Sequence, residues 1–328
     1  MPKILITGAS GFVGSWLVSE ALKRDLDVYA GVRHTSSKEF LQDPRIQFFN
    51  TDFRDEEGLF QGLNEHQFDY VIHNAGVVRA LEQQIFYDVN YGYSKLLIDK
   101  LQLVNSNLRK FVYMSSLASC GSADDAEEGM ITPDIEMNPP THYGKSKKEA
   151  EAFIKTQKLA YLIFRPTAVY GPRDKDILKL FKSISVGIAP LLGMNPSKLS
   201  FIYVKDLARL ILDATLSDSK NKTYVVSDGV DYTGNAFHKK VATVMGKTPF
   251  YPKIPMGVIK LVASLTEVKS KLTKTPDTLD LDKVNELKAR NWLCDISELE
   301  KDFNFAPQYS TVESLTETYE WYKKHNWL

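Results

Sequence analysis

Two cysteines in 328 residues are too few for a disulfide scaffold, and Cys120 and Cys294 lack the spacing of a metal-ligand set or redox motif. That usage fits a reducing compartment. An excess of either charge is missing as well: 41 basic and 41 acidic residues cancel, so no net field draws the chain toward nucleic acid or an anionic membrane. Long apolar runs are absent. The most apolar late stretch, Ile254 to Leu265, contains Pro255 and Lys260; it is too short to span a bilayer and reads as a core helix. Met1-Pro2-Lys3 leads directly into an apolar strand, leaving no room for a signal peptide. The expectation is a cytoplasmic protein with no nucleic-acid or membrane partner.

What is present is strand–helix alternation. Apolar runs at 3–7, 27–32, 45–49, 69–74, 109–115 and 159–165 read as strands, with helical patterns near 12–24, 55–64, 80–106 and 143–158 between them. Near-continuous apolar strands separated by helices indicate an α/β fold with a doubly wound parallel sheet covered on both faces. After Arg165 the regularity breaks. Helices near 174–186, 205–216, 234–245 and 312–324 surround short strands at 200–203 and 224–227. Residues 1–170 therefore read as a dinucleotide-binding Rossmann domain and 171–328 mainly as a smaller substrate-binding lobe, some of whose strands can rejoin the main sheet.

The first strand runs into Thr7-Gly8-Ala9-Ser10-Gly11-Phe12-Val13-Gly14, with glycines at G-x-x-G-x-x-G spacing. A chain turning at once from strand to helix needs unusual dihedrals, a backbone bare enough to approach a pyrophosphate, and close helix–strand packing. The helix N-terminus then offers free N–H groups to the phosphates. A glycine triplet alone can be an ordinary tight turn; following a strand and preceding the pattern Trp16, Leu17, Ala21, Leu22, it points to dinucleotide binding.

Tyr143 and Lys147 fall one helical turn apart after Pro139-Pro140-Thr141, on one face. A phenol normally titrates near about 10, and an adjacent ammonium would lower that value toward the range useful for proton transfer. In a chain with 16 tyrosines such a pair also arises by chance. The strand Phe111-Val112-Tyr113-Met114-Ser115-Ser116 delivers two hydroxyls to its C-terminal end, the ligand-binding edge of an open α/β sheet. They can orient a substrate oxygen or simply begin a turn.

Taken in order, the glycine turn, His73-Asn74-Ala75-Gly76, Ser115-Ser116, Tyr143-x-x-x-Lys147 and Arg165-Pro166-Thr167-Ala168-Val169-Tyr170-Gly171-Pro172 resemble an extended short-chain dehydrogenase/reductase of the NAD(P)-dependent epimerase/dehydratase superfamily. The resemblance extends through Phe201-Ile202-Tyr203-Val204-Lys205-Asp206. It implies Tyr143 as general acid/base, Lys147 lowering its pKa and binding the nicotinamide ribose, and Ser116 orienting substrate beside Ser115. It further implies that Gly8, Gly11, Phe12, Val13, Gly14, Ala75 and Gly76 line the cofactor, Asp52 and Phe53 contact the adenine, and Pro166 and Val169 border the nicotinamide. Asn90 would be mainly structural. Such proteins often dimerise through the helices near 80–106 and 143–158, so a homodimer is an expectation. Ser119-Cys120-Gly121 departs from the usual Val-Tyr-Gly and would make the substrate-facing side unusual.

The second strand ends Ala30-Gly31-Val32-Arg33, without the acid that holds the adenine ribose in NAD enzymes. Arg33, followed by Ser36, Ser37 and Lys38, suits a 2′-phosphate, or Arg33 stacks over adenine with either cofactor. NADP is expected, with NAD possible. On the substrate side, two nucleotide-sugar markers are replaced, an asparagine by Ala168 and a diphosphate-gripping arginine by Leu199; Lys198 or Arg173 would have to compensate. The chain looks closer to the dihydroflavonol-reductase and 3β-hydroxysteroid-dehydrogenase branch. That implies an oxidoreductase interconverting a carbonyl and an alcohol on a fairly apolar small molecule, with a nucleotide-sugar epimerase/dehydratase or a non-catalytic dinucleotide-binding scaffold as alternatives. The acidic stretch Asp124-Asp125-Ala126-Glu127-Glu128 reads as a solvated flap.

Overall fold

A strand buried on both faces must be apolar at every position, and the first strand meets that demand: Ile4 and Ile6 project to one side, Leu5 to the other. The computed structural model describes residues 1–104, 107–123, 129–277 and 280–328; the acidic stretch 124–128 lies outside them. β1 (Lys3–Thr7), β2 (Asp27–Val32), β3 (Gln47–Asn50), β4 (Tyr70–His73), β5 (Lys110–Met114) and β6 (Tyr161–Pro166) alternate with α1 (Phe12–Ala21), α2 (Glu56–His66), α3 (Gln83–Phe86), α4 (Tyr93–Val104) and α5 (His142–Lys155). The predicted helix over 80–106 is interrupted by a π-helical turn, Tyr87–Gly92, between α3 and α4. Turns of this kind are rare and concentrate at functional sites; here it carries the buried Asn90.

Beyond β6 come β7 (Ala168–Tyr170), α6 (Ile177–Ser185), β8 (Leu191–Leu192), β9 (Lys198–Leu199), β10 (Phe201–Tyr203), α7 (Val204–Leu216) and β11 (Lys222–Val226). They are followed by β12 (Tyr232–Thr233), α8 (Ala236–Val244), β13 (Lys253–Ile254), α9 (Met256–Thr273), α10 (Leu281–Lys288), α11 (Ser297–Phe303) and α12 (Thr311–Lys324). The main sheet has the order β11-β6-β5-β4-β1-β2-β3, every pair parallel. β11 thus returns from late in the chain to the β6 edge. The order reverses at β1, whose neighbours are β2 and β4, and the crevice beyond that reversal is where open α/β sheets take ligands.

One face packs Ile4, Ile6, Val28 and Val112 against Leu17 and Val18 of α1 and Leu207 and Ile211 of α7. The opposite face packs Leu5, Val71 and Phe111 against Leu59, Leu97 and Ile154. A third core, rich in aromatic rings, joins Tyr170, Phe181, Phe201 and Phe237 to Leu315 and Tyr322 of α12. α12 is started by a reciprocal Ser310–Glu313 capping box, and its leucine and Tyr322 face inward as the sequence suggests.

The late apolar stretch corrects the sequence reading. It forms α9, yet only Ile259, Ala263 and Ser270 of that helix are buried, while Val258, Leu261, Val262, Leu265, Val268 and Leu272 are exposed. Composition announced an apolar helix; only packing decides how many of its faces find a neighbour. Among the described residues no helix is long and apolar enough to cross a membrane.

Candidate active site

Gly8 has φ of +65°, and a Cβ on Gly14 would lie 2.1 Å from the Gly8 carbonyl oxygen. The turn therefore closes only with bare backbone at these two positions. α1 begins at Gly11 with no side-chain cap and no acid in its first turn, leaving its leading N–H groups, at Phe12 and Val13, for an outside acceptor. This uncapped end at the β1/β4 crevice fits the pyrophosphate of a dinucleotide. The neighbouring wall is fixed from below. Ala75 N–H donates to Thr7 Oγ1 at 3.1 Å, and Thr7 Oγ1 meets His73 Nδ1 at 2.8 Å. His73 Nε2 lies 3.0 Å from Ser94 Oγ, and burial holds this imidazole down at about 3, neutral and structural. Asn90 accepts from Val77 N–H at 2.9 Å and donates to the Val77 carbonyl at 3.0 Å, shaping the chain beside the exposed Gly76. This agrees with a structural part for Asn90.

Further along the crevice, Arg33 is exposed just past β2, its N–H donating to Ser36 Oγ at 3.1 Å. Asp52 is paired with Arg54 at 2.7 Å, which holds its carboxyl down at about 2. The Phe53 ring is buried and stacks on Tyr93 at 4.8 Å between centroids; what it can give an adenine is backbone. Arg173 lies against Trp16, 4.1 Å from the ring, and donates to Ser15 Oγ. Arg173 and Lys198 do not line the substrate cavity, although Ser197 and Leu199 on either side of Lys198 do.

α5 is capped by Thr141, whose Oγ1 accepts from Gly144 N–H at 3.1 Å. A Cβ on Gly144 would sit 2.3 Å from the Ala118 carbonyl oxygen. Glycine there lets α5 press on the short turn Leu117–Ser119, and that approach sets the Tyr143 phenol beside the Ser116 hydroxyl. Burial pushes the phenol up to about 12; the Ser116 hydrogen bond opposes this and the Glu286 charge adds to it. Lys147 is buried beneath, its Nζ donating to the Met114 carbonyl at 2.8 Å and lying 4.7 Å from the Tyr113 ring centre. Burial pulls the ammonium down to about 8, against the attraction of Glu151.

The expected direct action of Lys147 on the Tyr143 phenol is therefore not seen. The i, i+4 spacing places both on one side of α5, but the lysine stem turns under β5 toward Met114 and Gly76, where an added Cβ would stand 3.4 Å from Nζ. The ammonium of Lys147 is thus turned to the backbone at Met114 and Gly76, whereas the phenol is set by burial, by Ser116 and by the Glu286 charge.

Ser115 and Ser116 part company. Ser116 lines the cavity, while the Ser115 hydroxyl turns inward and donates to Glu151 Oε1. Glu151 was passed over in the sequence, where it is one acid among many on an exposed-looking helix. It is buried, as is Arg165. Arg165 Nε donates to both Glu151 oxygens at 3.1 Å and Nη2 to Oε2 at 2.7 Å, and Ser119 Oγ donates to Oε1 at 2.9 Å. Ser119 and Cys120 thus belong to the support behind the site. This corrects the expectation of an unusual substrate-facing segment.

A cavity of about 970 Å³ opens in front of Tyr143 and Ser116. Pro166 and Val169 border it, as do Ala168 and Leu199 at the two replaced positions. Phe86, Leu117, Ile177, Leu180, Leu191 and Trp292 give it apolar walls, and the Phe86 ring lies 6.3 Å from that of Tyr143. Part of its charged lining is self-paired, Arg79 and Lys179 with Asp176 and Lys283 with Glu286, while Lys253, Asp280 and Asp282 also line it. A smaller cavity of about 160 Å³ adjoins it, sharing Asn195 and Ser197 and lined also by Lys288 and Arg290. No motif pointed to Arg290; the Lys198 N–H donating to its carbonyl at 2.6 Å is what brings it to the rim.

Comparison with known proteins agrees with this geometry. The chain is 25% identical over 338 residues to a ceramide reductase of Caulobacter vibrioides, covering 99% of this chain and 96% of that protein. It is 28% identical over 309 residues to a UDP-glucose 4-epimerase of Vibrio cholerae, with coverage of 89% and 91%. Its fold superposes on the UDP-glucose 4-epimerase of Thermotoga maritima with a TM-score of 0.78 over 99% of both chains at 21% identity. The sequence profile of the NAD dependent epimerase/dehydratase family matches residues 4–227. The chain belongs to that family, and its dinucleotide is NAD(P).

Proposed function

We propose that the protein is a reductase or dehydrogenase that interconverts a carbonyl and an alcohol on a largely apolar substrate. The observation that carries this reading is the cavity before Tyr143, apolar at the two positions where a nucleotide-sugar enzyme would present asparagine and arginine, and with Arg79, Lys179 and Lys283 of its wall each held by an acid of the same wall. A buried guanidinium–phosphate contact contributes about 1.5–3 kcal/mol; an aliphatic Leu199 contributes none of it.

Gly76 and Val169 would border the nicotinamide of a bound dinucleotide, a group that would supply or accept a hydride. Tyr143, protonated through the neutral range, donates a proton to the carbonyl oxygen as charge develops there. Ser116 hydrogen-bonds the same oxygen and fixes its position. Lys147 would hold the ribose hydroxyls of the dinucleotide with its buried ammonium, which keeps a cationic proton donor on the Tyr143 side of the site. Glu151 and Arg165 keep Ser115–Ser116 and Pro166 in register beneath. For the dinucleotide, Arg33 with the Ser36 turn favours a 2′-phosphate, hence NADP over NAD.

A second reading, a nucleotide-sugar epimerase or dehydratase, is favoured by one feature: Lys288 and Arg290 in the adjoining small cavity, where a diphosphate would find cations. Turnover separates the two. With a long-chain ketone or aldehyde, NADPH should be consumed stoichiometrically, and Tyr143→Phe should lower kcat by about 10²–10⁴-fold with cofactor affinity unchanged. Interconversion of UDP-sugars without net NADPH loss would displace the first reading in favour of the second.

A further inference from the structure

α9 holds to the molecule by a narrow face. Ile259 and Ala263 pack with Val284 of α10, with Ile254, Met256 and Leu287 at the margin. The outward residues Val258, Leu261, Val262, Leu265, Val268 and Leu272 recur at helical spacing and form one stripe along the whole helix. Leu261, Leu265 and Leu272 are 62%, 63% and 80% exposed. Scattered apolar residues on a surface need no explanation, but a continuous apolar stripe marks an interaction site.

Charge identifies the occupant. The chain as a whole is neutral, yet residues 253–274 carry five lysines, Lys253, Lys260, Lys269, Lys271 and Lys274, against the single acid Glu267. All five lysines are exposed. An exposed apolar stripe flanked by lysines, on a helix that spans nothing, has the character of a segment lying flat in the headgroup region of an anionic bilayer. Position supports the same occupant. β13 pairs with β8 through Lys253–Leu191 and Ile254–Leu192, so the start of α9 adjoins the loop that walls the substrate cavity. Leu192 and Met194, at that wall, are themselves half exposed. α10, on which α9 rests, contributes Lys283, Glu286 and Leu287 to the cavity from the other side.

We infer that α9 is an interfacial anchor that seats the cavity mouth on an anionic lipid surface. An apolar substrate dissolved in the bilayer would then pass to Tyr143 without crossing water. This delivery role rests on the apolar-substrate reading; the docking does not. No membrane partner was expected from the balanced overall charge and the lack of a long apolar run; neither that balance nor the absence of a spanning helix among the described residues restricts a locally basic helix lying in the surface.

The test is co-sedimentation of the full-length protein with vesicles of phosphatidylcholine alone or mixed with phosphatidylglycerol. Binding is expected to the mixed vesicles and to be weaker on pure phosphatidylcholine. It should fall with salt as the Debye length shrinks to about 3 Å near 1 M. A lysine near an anionic leaflet is worth roughly fivefold in affinity, so Lys260→Glu/Lys269→Glu should weaken binding by at least about 25-fold. Leu261→Ser/Leu265→Ser should abolish it, with the far-ultraviolet circular dichroism and NADP(H) affinity of both variants unchanged. Should the leucine variant fail to fold, the lysine variant alone decides. Equal binding by wild type and variants, no binding to either vesicle, or a dimer in light scattering that the leucine substitutions dissolve would each overturn the inference. Vesicle binding without reduction of any apolar carbonyl would leave the anchor standing and remove only the substrate assignment.

Discussion

Substituting Glu151→Gln tests whether the support beneath the active site is held by charge. In the native protein the Arg165 guanidinium directs three hydrogen bonds, at 3.1, 3.1 and 2.7 Å, to the Glu151 carboxylate, with both side chains 1% exposed. Gln keeps one oxygen for Ser115 and Ser119 but withdraws the negative charge. Arg165 would be left with neutral acceptors, the Pro133 carbonyl at 2.8 Å and the Met137 and Cys120 sulfurs. Removing one member of a buried pair leaves an uncompensated charge out of water, a loss of about 3–5 kcal/mol. With an m-value near about 3 kcal/mol/M, the urea midpoint should fall by roughly 1 M or more at unchanged slope. The double variant Glu151→Leu/Arg165→Met has no charge left to strand and should recover most of that loss. The single variant should also lose kcat, because Ser116 follows Ser115 directly and Pro166 follows Arg165. A Glu151→Gln protein within about 1 kcal/mol of wild type would refute the argument, since a buried guanidinium cannot lose its counter-charge at so small a cost.

Arg33→Ala should weaken NADP binding by an order of magnitude or more while leaving NAD nearly unaffected, as read by titration calorimetry; equal losses would assign Arg33 to adenine stacking. Glu286→Gln removes a charge that raises the Tyr143 phenol, so the basic limb of the pH–rate profile should move to lower pH; an unmoved limb would show that Glu286 does not act on the phenol. Asp228 is pushed up from 3.8 to about 6 by burial. Its folded state binds the proton more tightly than the unfolded chain, so the stability it confers is present below about 4 and lost as pH rises through about 6. Asp228→Asn, which keeps an acceptor for Val230 N–H and a partner for the Tyr232 hydroxyl, should stabilise the protein at pH 8 and give no gain near pH 4. Denaturation at both pH values checks the sign.

The parts of the site that were legible in the sequence share a physical trait. Each is set by local geometry. Apolar runs gave the strands, the glycine turn gave the bare backbone leading into an uncapped α1, and Ser116 and Tyr143 both reached the cavity wall. The misreadings arose where a side chain had a choice of partner. Lys147 gave its hydrogen bond to the Met114 carbonyl. Ser115 turned to Glu151 and left the cavity to Ser116. Glu151 itself gave no sign, because an acid on a helix pairs with solvent unless a buried arginine from another strand meets it.

Periodicity and turn chemistry act over a few residues, and the sequence by itself therefore determined the doubly wound sheet, the bare backbone at Gly8 and Gly14, and the helical turn joining Tyr143 to Lys147. Only the tertiary structure decided the rest. It chose which hydroxyl faces the cavity, paired Arg79 with Asp176 and Lys283 with Glu286 on its wall, and carried Arg290 to the smaller cavity beside it. It also left one flank of α9 uncovered. Those outcomes depend on which surfaces meet across more than a hundred residues of chain, and burial, desolvation and pairing take their values only after that meeting is made.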